Sequence, residues 1–359
     1  QRLIKGMKFH FLSSGKELIT ARRRGALTLR DARTGKKIRE ITPRLPDERI
    51  TRLTSSGDGR FLALESHSGY GEASVYHVTV WSTETGKIIH QAENGAQPLV
   101  PTFVHAHEAW LALREKNLLH ILDLEAKKRV KNCSIYLPSA LKMLAHPQSG
   151  LLAIAHGAPI GTVQIWRAWN NAPRMEELTG RQARVWSLSG DGRRLALRTK
   201  EGAVQILSTE TGEEIWTTPV LNRCYRLALS QDGTALALSI STQGKSELQI
   251  WSVEKKSKLK VIPVPGIDDL RYSSTGEFLS CVFHSDDEEG EELIERELVL
   301  FSTRTWKRQC SIPYLNENDP LPCFSADDKM SGVVRDREKL VEIRSTQDGS
   351  LRSKLNPGF

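Results

Sequence analysis

His105 and His107 are separated by one residue, a spacing that places both side chains on one face of an extended strand, as two ligands of a metal ion would need. No third His, Cys or carboxylate follows at ligand spacing. His67, His77 and His156 fall in other segments, so structural or surface histidines are the simpler reading. Ser13-Ser14-Gly15-Lys16 spells Ser-x-x-Lys, the pairing of a hydroxyl nucleophile with a lysine. Four-letter patterns recur by chance in chains of this length, and Ser and Gly are also what a tight turn requires. The zinc-hydrolase, nucleophile-elbow, phosphate-loop and dinucleotide signatures do not occur. The expectation is a chain that is not an enzyme, with no cofactor and no metal.

Charge is the stronger signal. The chain of 359 residues carries 51 Lys and Arg against 43 Asp and Glu, a formal charge of +8. Residues 285–297, SDDEEGEELIERE, hold eight of the acids and a single Arg. The rest of the chain is therefore more basic than the total indicates. Arg22-Arg23-Arg24 and Arg335-Asp336-Arg337 are two of its basic clusters.

Composition bounds the class. With 39% hydrophobic and 26% charged residues the chain can build a core, which sets it apart from disordered tails. No apolar run approaches the ~18–20 residues of a membrane-spanning helix, and the opening QRLIKGMKF lacks a signal-peptide core. Starting without Met, the sequence reads as a clipped chain or as a domain excised from a longer one. Cysteines 133, 224, 281, 310 and 323 are odd in number and form no CxxC pair, which argues against a disulfide framework and for a reducing, cytoplasmic compartment.

The elements that would position these residues emerge from self-comparison. DGRFLALE (58–65), DGRRLALR (191–198) and DGTALALS (232–239) repeat one phrase. LTLRDARTGKKI (27–38), VTVWSTETGKI (78–88), VQILSTETGEEI (204–215) and LQIWSVEKKSKL (248–259) repeat another. In register they give one column: Arg30, Trp81, Leu122, Trp166, Leu207, Trp251, Phe301 and Arg344. The unit is about 43 residues and occurs eight times. Within it the apolar period is two, which predicts strands, and the Asp-Gly and Thr-Gly pairs predict two-residue hairpins. Four strands are expected per unit, at roughly 7–12, 16–22, 26–31 and 36–41 in the first. The stretch 286–297 is the sole helix-like candidate.

A unit of four short strands cannot cover both of its faces alone. Packing units face to face around a ring covers them, so the expected fold is all-β, an eight-bladed β-propeller of four-stranded antiparallel blades in a single domain over 1–359. The blades are placed at 7–41, 50–92, 99–133, 140–178, 184–218, 224–262, 267–312 and 320–355.

The unit resembles the WD40 repeat. Trp81, Trp166 and Trp251 match that family's Trp at the end of the third strand, and Asp58-Gly59, Asp191-Gly192 and Asp232-Gly233 match its first turn. No Trp-Asp or Gly-His dipeptide occurs, so the repeats are divergent, in a bacterial style, and the family's polar tetrad is largely missing. ILSTETGEEIWTTP (206–219) also resembles the repeat of quinone-dependent dehydrogenases, another eight-bladed family, through Trp216 after its Thr-Gly turn. Trp306 is displaced from that pattern.

In WD40 proteins the connection between second and third strands lies on the face that most often binds partners. This resemblance implies a scaffold whose loops on that face bind another protein or a neighbouring domain of a longer chain. The residues so placed are Arg22, Arg23, Arg24, Tyr70, Tyr76, Arg114, Arg198, Arg335, Arg337 and the acids Asp286, Asp287, Glu288 and Glu289. Three readings of the patch stay open: an acidic protein partner, nucleic-acid phosphates, or neutralisation of the acidic stretch within the molecule. Aromatic residues are few, at 6%, and not interleaved with the arginines, which disfavours stacking on single strands. An enzyme of the quinone-dependent type is the further alternative. No membrane partner is expected.

Overall fold

The computed structural model describes residues 7–12, 15–22, 26–42, 48–69, 73–95, 98–103, 110–115, 118–136, 140–146, 151–156, 161–168, 175–183, 185–221, 223–242, 245–284, 296–314, 323–325, 327–335 and 340–355. These form eight four-stranded antiparallel sheets in which each strand pairs with the next in sequence. Contacts group them into two compact units, residues 1–180 in the main and residues 181–356 in the main.

In the first unit, sheet 1 consists of Met7–Phe11, Glu17–Arg22, Leu27–Asp31 and Lys37–Thr42. Sheet 2 consists of Arg49–Ser55, Phe61–Ser68, Val75–Ser82 and Ile88–Asn94. Sheet 3 has Thr102–Phe103, Trp110–Glu115, Leu118–Asp123 and Lys128–Tyr136, and sheet 4 has Ala140–His146, Leu151–His156, Gly161–Ala168 and Met175–Ala183.

In the second unit, sheet 5 is Trp186–Leu188, Arg194–Arg198, Val204–Ser208 and Glu214–Thr217. Sheet 6 is Cys224–Leu229, Ala235–Thr242, Lys245–Ser252 and Ser257–Val264. Sheet 7 is Gly266–Tyr272, Phe278–His284, Arg296–Ser302 and Arg308–Tyr314, and sheet 8 is Cys323–Phe324, Met330–Arg335, Leu340–Ser345 and Leu351–Leu355. No α-helix occurs among the described residues. The helix-like stretch 286–297 lies outside them except for Arg296 and Glu297, which open a strand.

Second strands are buried on both faces. Leu62-Ala63-Leu64, Leu195-Ala196-Leu197 and Leu236-Ala237-Leu238 are all buried, so side chains pointing to either side are shielded from water. Ile19 and Leu29 of sheet 1 pack with Leu62, Leu64 and Trp81 of sheet 2. Val204, Ile206 and Trp216 of sheet 5 pack with Leu236, Leu238 and Trp251 of sheet 6. Alanine in the middle keeps adjoining sheets close, while each buried Leu or Ile contributes roughly 1.5–3 kcal/mol.

The eight-residue column holds in three dimensions. Arg30, Trp81, Leu122, Trp166, Leu207, Trp251 and Phe301 lie opposite Leu18, Leu62, Leu111, Leu152, Leu195, Leu236 and Leu279, and Arg344 lies opposite Ser331. Beside this column a feature that the sequence did not announce recurs. The register between third and fourth strands slips at Leu29/Arg30, Val80/Trp81, Ile206/Leu207, Ile250/Trp251, Leu300/Phe301 and Ile343/Arg344. A bulge there adds twist to the outer strand of each of these sheets.

The turns correct one expectation. They are four-residue connections, not two-residue hairpins: Ser56 N–H donates to Phe61 O across 57–60, and Ser82 N–H donates to Lys87 O across 83–86. Such a loop needs one left-handed residue at its end instead of two, which is why a single Gly suffices, as at Gly59 and Gly86. Lys127, Lys256, Trp306 and Asp328 take the same backbone state in other copies of these turns. Trp306 thus occupies the turn-glycine position and not the place of Trp216.

A serine two residues before the Asp locks the first turn. Ser189 Oγ donates to Asp191 and accepts from Arg194 N–H, and Ser230 does the same with Asp232 and Ala235 N–H. Ser56 and Ser325 repeat the arrangement. The second turn closes onto the first: Thr83 and Thr209 hydroxyls donate to the carbonyls of Gly59 and Gly192, both at 2.6 Å. Ser325 is inaccessible, so Ser325→Ala strands the Met330 N–H and is expected to cost about 1–3 kcal/mol in chemical denaturation. An unchanged midpoint would show that the serine is incidental.

His10 of sheet 1 reaches Ser55 of sheet 2, Nε2 to Oγ 3.0 Å. Burial lowers its pKa from 6.5 to about 4. The folded state therefore holds it neutral where the unfolded chain takes up a proton, and stability should decline as pH falls from about 6.5 towards 4. His10→Gln, which keeps a partner for Ser55 but does not titrate, should flatten that part of the stability profile; an unaltered profile would assign it to other groups.

Candidate functional site

The two ends of the sheets differ. At one end lie the first-to-second and third-to-fourth turns, with their repeated Ser, Asp, Gly and Thr locks. At the other end the connections vary. Sheet 2 extends its second hairpin to Ser68 and Val75, sheet 6 to Thr242 and Lys245, and sheet 7 to His284 and Arg296, whereas sheet 5 turns between Arg198 and Val204.

Of the residues singled out in the sequence, the described ones (Arg22, Tyr76, Arg114, Arg198 and Arg335) fall at or near this variable end, in different environments. Arg22 ends the second strand of sheet 1, opposite Met7. Arg23, Arg24, Tyr70, Asp286, Asp287, Glu288, Glu289 and Arg337 lie outside the described residues, as do His105 and His107. Tyr76 is half-buried in the third strand of sheet 2, its ring 5.1 Å from that of His67, and packs on the apolar contact with sheet 3.

Arg114 is 4% exposed, so its guanidinium is not part of an open surface; burial lowers its pKa, and its N–H donates to Leu99 O. Arg335 is held inside sheet 8. Its Nε and Nη2 lie 3.0 and 2.9 Å from Glu342 Oε2, and Arg344 Nε and Nη2 lie 2.9 and 2.8 Å from the same oxygen. Lys354 Nζ stands 3.7 Å from Oε1. Arg335 therefore spends its charge on a buried carboxylate, which the sequence foreshadowed only through the alternation Glu342-x-Arg344.

Arg114 and Arg198 share one position, three residues past the Leu that faces the column, and the equivalent in sheet 2 is Glu65. Glu65 is buried and works internally: Oε2 accepts from Thr51 Oγ1 at 2.8 Å and Oε1 from Val100 N–H at 2.8 Å, tying sheet 2 to the segment entering sheet 3. This position faces the adjoining sheet, which explains why a charge there can be structural. Arg198 differs in being partly exposed. Its Nε is buried without a hydrogen-bond partner.

The connection from sheet 5 to sheet 6 carries residues that the sequence did not single out. Val220 and Tyr225 are 64% and 49% exposed, the two most outward large apolar side chains among the described residues of the second unit. The signal available was the connection TPVLNRCYR, in which apolar residues and arginines stand beside the turn residues Pro219 and Asn222. The neighbouring Cys224 is buried and its thiol is pushed up to about 11 by that burial, against the opposing charge of Arg198, so it is not a nucleophile. Cys281 and Cys310 are buried and free as well.

No group of three or more His, Cys, Asp or Glu among the described residues is placed to hold a metal ion. No helix among the described residues is long and apolar enough to cross a membrane. Trp216, the residue that suggested a quinone-dependent repeat, packs against Trp251 with ring centroids 5.8 Å apart, which is an inter-sheet contact.

No protein-family model and no curated protein sequence matches the chain. Solved structures do. A eukaryotic initiation factor is similar over 99% of this chain and 89% of its own, with 13% identity and a TM-score of 0.65. Saccharomyces cerevisiae Sqt1 is similar over 86% and 85%, at 10% identity and a TM-score of 0.62. The dihydro-heme d1 dehydrogenase NirN, solved in complex with DHE, is similar over 99% and 74%, at 11% identity and a TM-score of 0.62. Identities this low speak to fold alone. With eight four-stranded antiparallel sheets in chain order, the fold is an eight-bladed β-propeller.

Proposed function

We propose that the chain is a non-catalytic, WD40-type interaction platform that binds a partner protein, or a neighbouring domain of a longer chain, through the variable ends of its sheets. One observation carries this reading: within a single chain the same hydrogen-bonded locks recur at one end of the sheets, while the opposite ends differ in length, charge and exposure. Repetition at one end is what a rigid frame needs, and variation at the other is what recognition needs. Sqt1 and the initiation factor, both propellers of the WD40 type, support it as structural neighbours. A frame locked in this way reorganises little on binding, which reduces the entropic cost of association. A cytoplasmic location belongs to the same proposal, in keeping with buried free thiols.

The test compares the two ends. A partner captured by the immobilised chain should be lost when charges at the variable end are reversed, as in Arg198→Glu, and kept when an exposed charge at the locked end is reversed, as in Glu84→Arg. Equal loss from both variants, or from neither, would contradict the assignment of the variable end. NirN keeps an enzymatic reading in view, and release of a bound chromophore on denaturing the purified chain would favour it.

A further inference from the structure

Three arginines, Arg198, Arg223 and Arg226, fall at the variable end of sheets 5 and 6. Arg198 carries the buried, unpartnered Nε, and Arg226 donates only to carbonyls, Nε to Asp268 O at 2.6 Å and Nη1 to Tyr225 O at 3.0 Å. Arg223 is exposed, in a left-handed conformation at φ 52°, with its carbonyl fixed by Ser241 N–H at 3.2 Å. None of the three forms an ion pair among the described residues, whereas Arg335 pairs with Glu342 in sheet 8 and Arg296 with Asp268 at 2.7 Å in sheet 7.

The apolar part of the spot is built by backbone geometry. The chain entering sheet 6 is pinned by Leu221 N–H to Gly202 O at 3.1 Å, and Gly202 lies beside both Val220 and Arg198 Nη2. A register slip between Cys224 and Arg226 then adds one residue to the inner strand, Tyr225, so that Tyr225 and Arg226 are both exposed in succession. The same slip adds Thr51 in sheet 2 and Asp268 in sheet 7. There the extra residue works internally, Thr51 on Glu65 and Asp268 on Arg296 and His284. Tyr225 alone of the three directs its side chain to solvent, where its hydroxyl takes no hydrogen bond from the described residues.

We propose that Val220 and Tyr225, with Arg198, Arg223 and Arg226 at the same end of these sheets, form a docking site for an extended acidic peptide of a partner protein. The peptide would place a large apolar side chain on Tyr225 and Val220, with an Asp or Glu on either side of it. This rests on the platform reading and names its partner chemistry. Charge complementarity selects the occupant: arginine forks match carboxylates in paired hydrogen bonds, and an exposed tyrosine is an anchor that loses little freedom on binding. A single tyrosine beside three arginines offers one stacking platform, too few for a run of bases.

The probes are fluorescein-labelled twelve-residue peptides: one with Asp and Glu flanking a central Phe, one with that Phe replaced by Ser, one with the acids replaced by Lys, and an oligothymidine of twelve nucleotides. Fluorescence anisotropy should show that the acidic Phe peptide binds. Tyr225→Ala and Arg223→Glu should each weaken it tenfold or more, as should the Phe-to-Ser change in the peptide. Both sites are exposed, so melting curves of the variants should match the parent. Absence of binding, equal binding of the Lys peptide, or unchanged affinity of both variants overturns the site; tighter oligothymidine binding abolished by the same variants overturns the peptide in favour of nucleic acid. A captured partner retained by Tyr225→Ala and Arg223→Glu would overturn this site and leave the platform reading standing, whereas no captured protein at all would remove the platform reading itself.

Discussion

Trp251→Ala is expected to lower stability by about 3–5 kcal/mol, the range for emptying a well-packed indole site. Trp251 is 7% exposed and bridges two sheets. Its ring meets Trp216 of sheet 5 at 5.8 Å, its Nε1–H donates to Gln249 Oε1 at 3.0 Å, and Lys258 Nζ lies 5.1 Å from the ring centroid. Truncation removes the indole from the apolar contact with Val204, Ile206 and Leu236 and opens a cavity that rigid strands cannot close. Native stabilities of ~5–15 kcal/mol make this a large fraction of the total. Trp251→Phe, which retains most of the area, should cost less than half as much. Equal urea midpoints for parent and Trp251→Ala would show that the strand register is wrong.

The second large effect belongs to Glu342. Its side chain is 6% exposed, and a single carboxylate balances Arg335 and Arg344, with Lys354 at longer range. Glu342→Gln removes the charge and leaves two guanidiniums facing each other. Breaking a fully buried pair costs ~3–5 kcal/mol; Arg335 and Arg344 keep 12% and 20% of their side chains exposed, so about 2–3 kcal/mol is expected. The effect also has a pH signature. Burial would raise the Glu342 pKa, but hydrogen bonds and charges from Arg344 and Arg335 outweigh it and hold the carboxyl below its usual range. The stabilisation is therefore complete above the unfolded carboxylate range and is lost as pH falls through the folded value. The penalty of Glu342→Gln should shrink in acid. A penalty that stays constant down to pH 3 would place its origin in packing instead of charge.

The repeat itself was legible because it is written in spacing. Two-residue alternation, the Leu-Ala-Leu second strands and the column from Arg30 to Arg344 all follow from the pleat and from burial on both faces, so the eight sheets appear where that spacing puts them. The turns were half legible. Asp-Gly and Thr-Gly marked their places, but the serine two residues earlier signals only once its hydroxyl is seen reaching forward along the chain, and Trp306 in a glycine position has no local cue. Charge was the least legible. Arg335 and Arg198 look alike in sequence, yet one pairs with Glu342 and the other forms no ion pair among the described residues, because partners are chosen by cross-strand register and not by neighbours in the chain. Tyr225 escaped notice for a related reason: its exposure comes from a one-residue slip that breaks the alternation on which the sequence reading depends.

The platform reading makes one demand above the others, that what binds is protein. Immobilised chain exposed to lysate of the source cell, divided and processed with and without nuclease, tests it directly. The account predicts a defined protein that remains bound after nuclease treatment and is released by Arg198→Glu. Material that disappears with nuclease would contradict it and assign the basic residues to nucleic-acid phosphates.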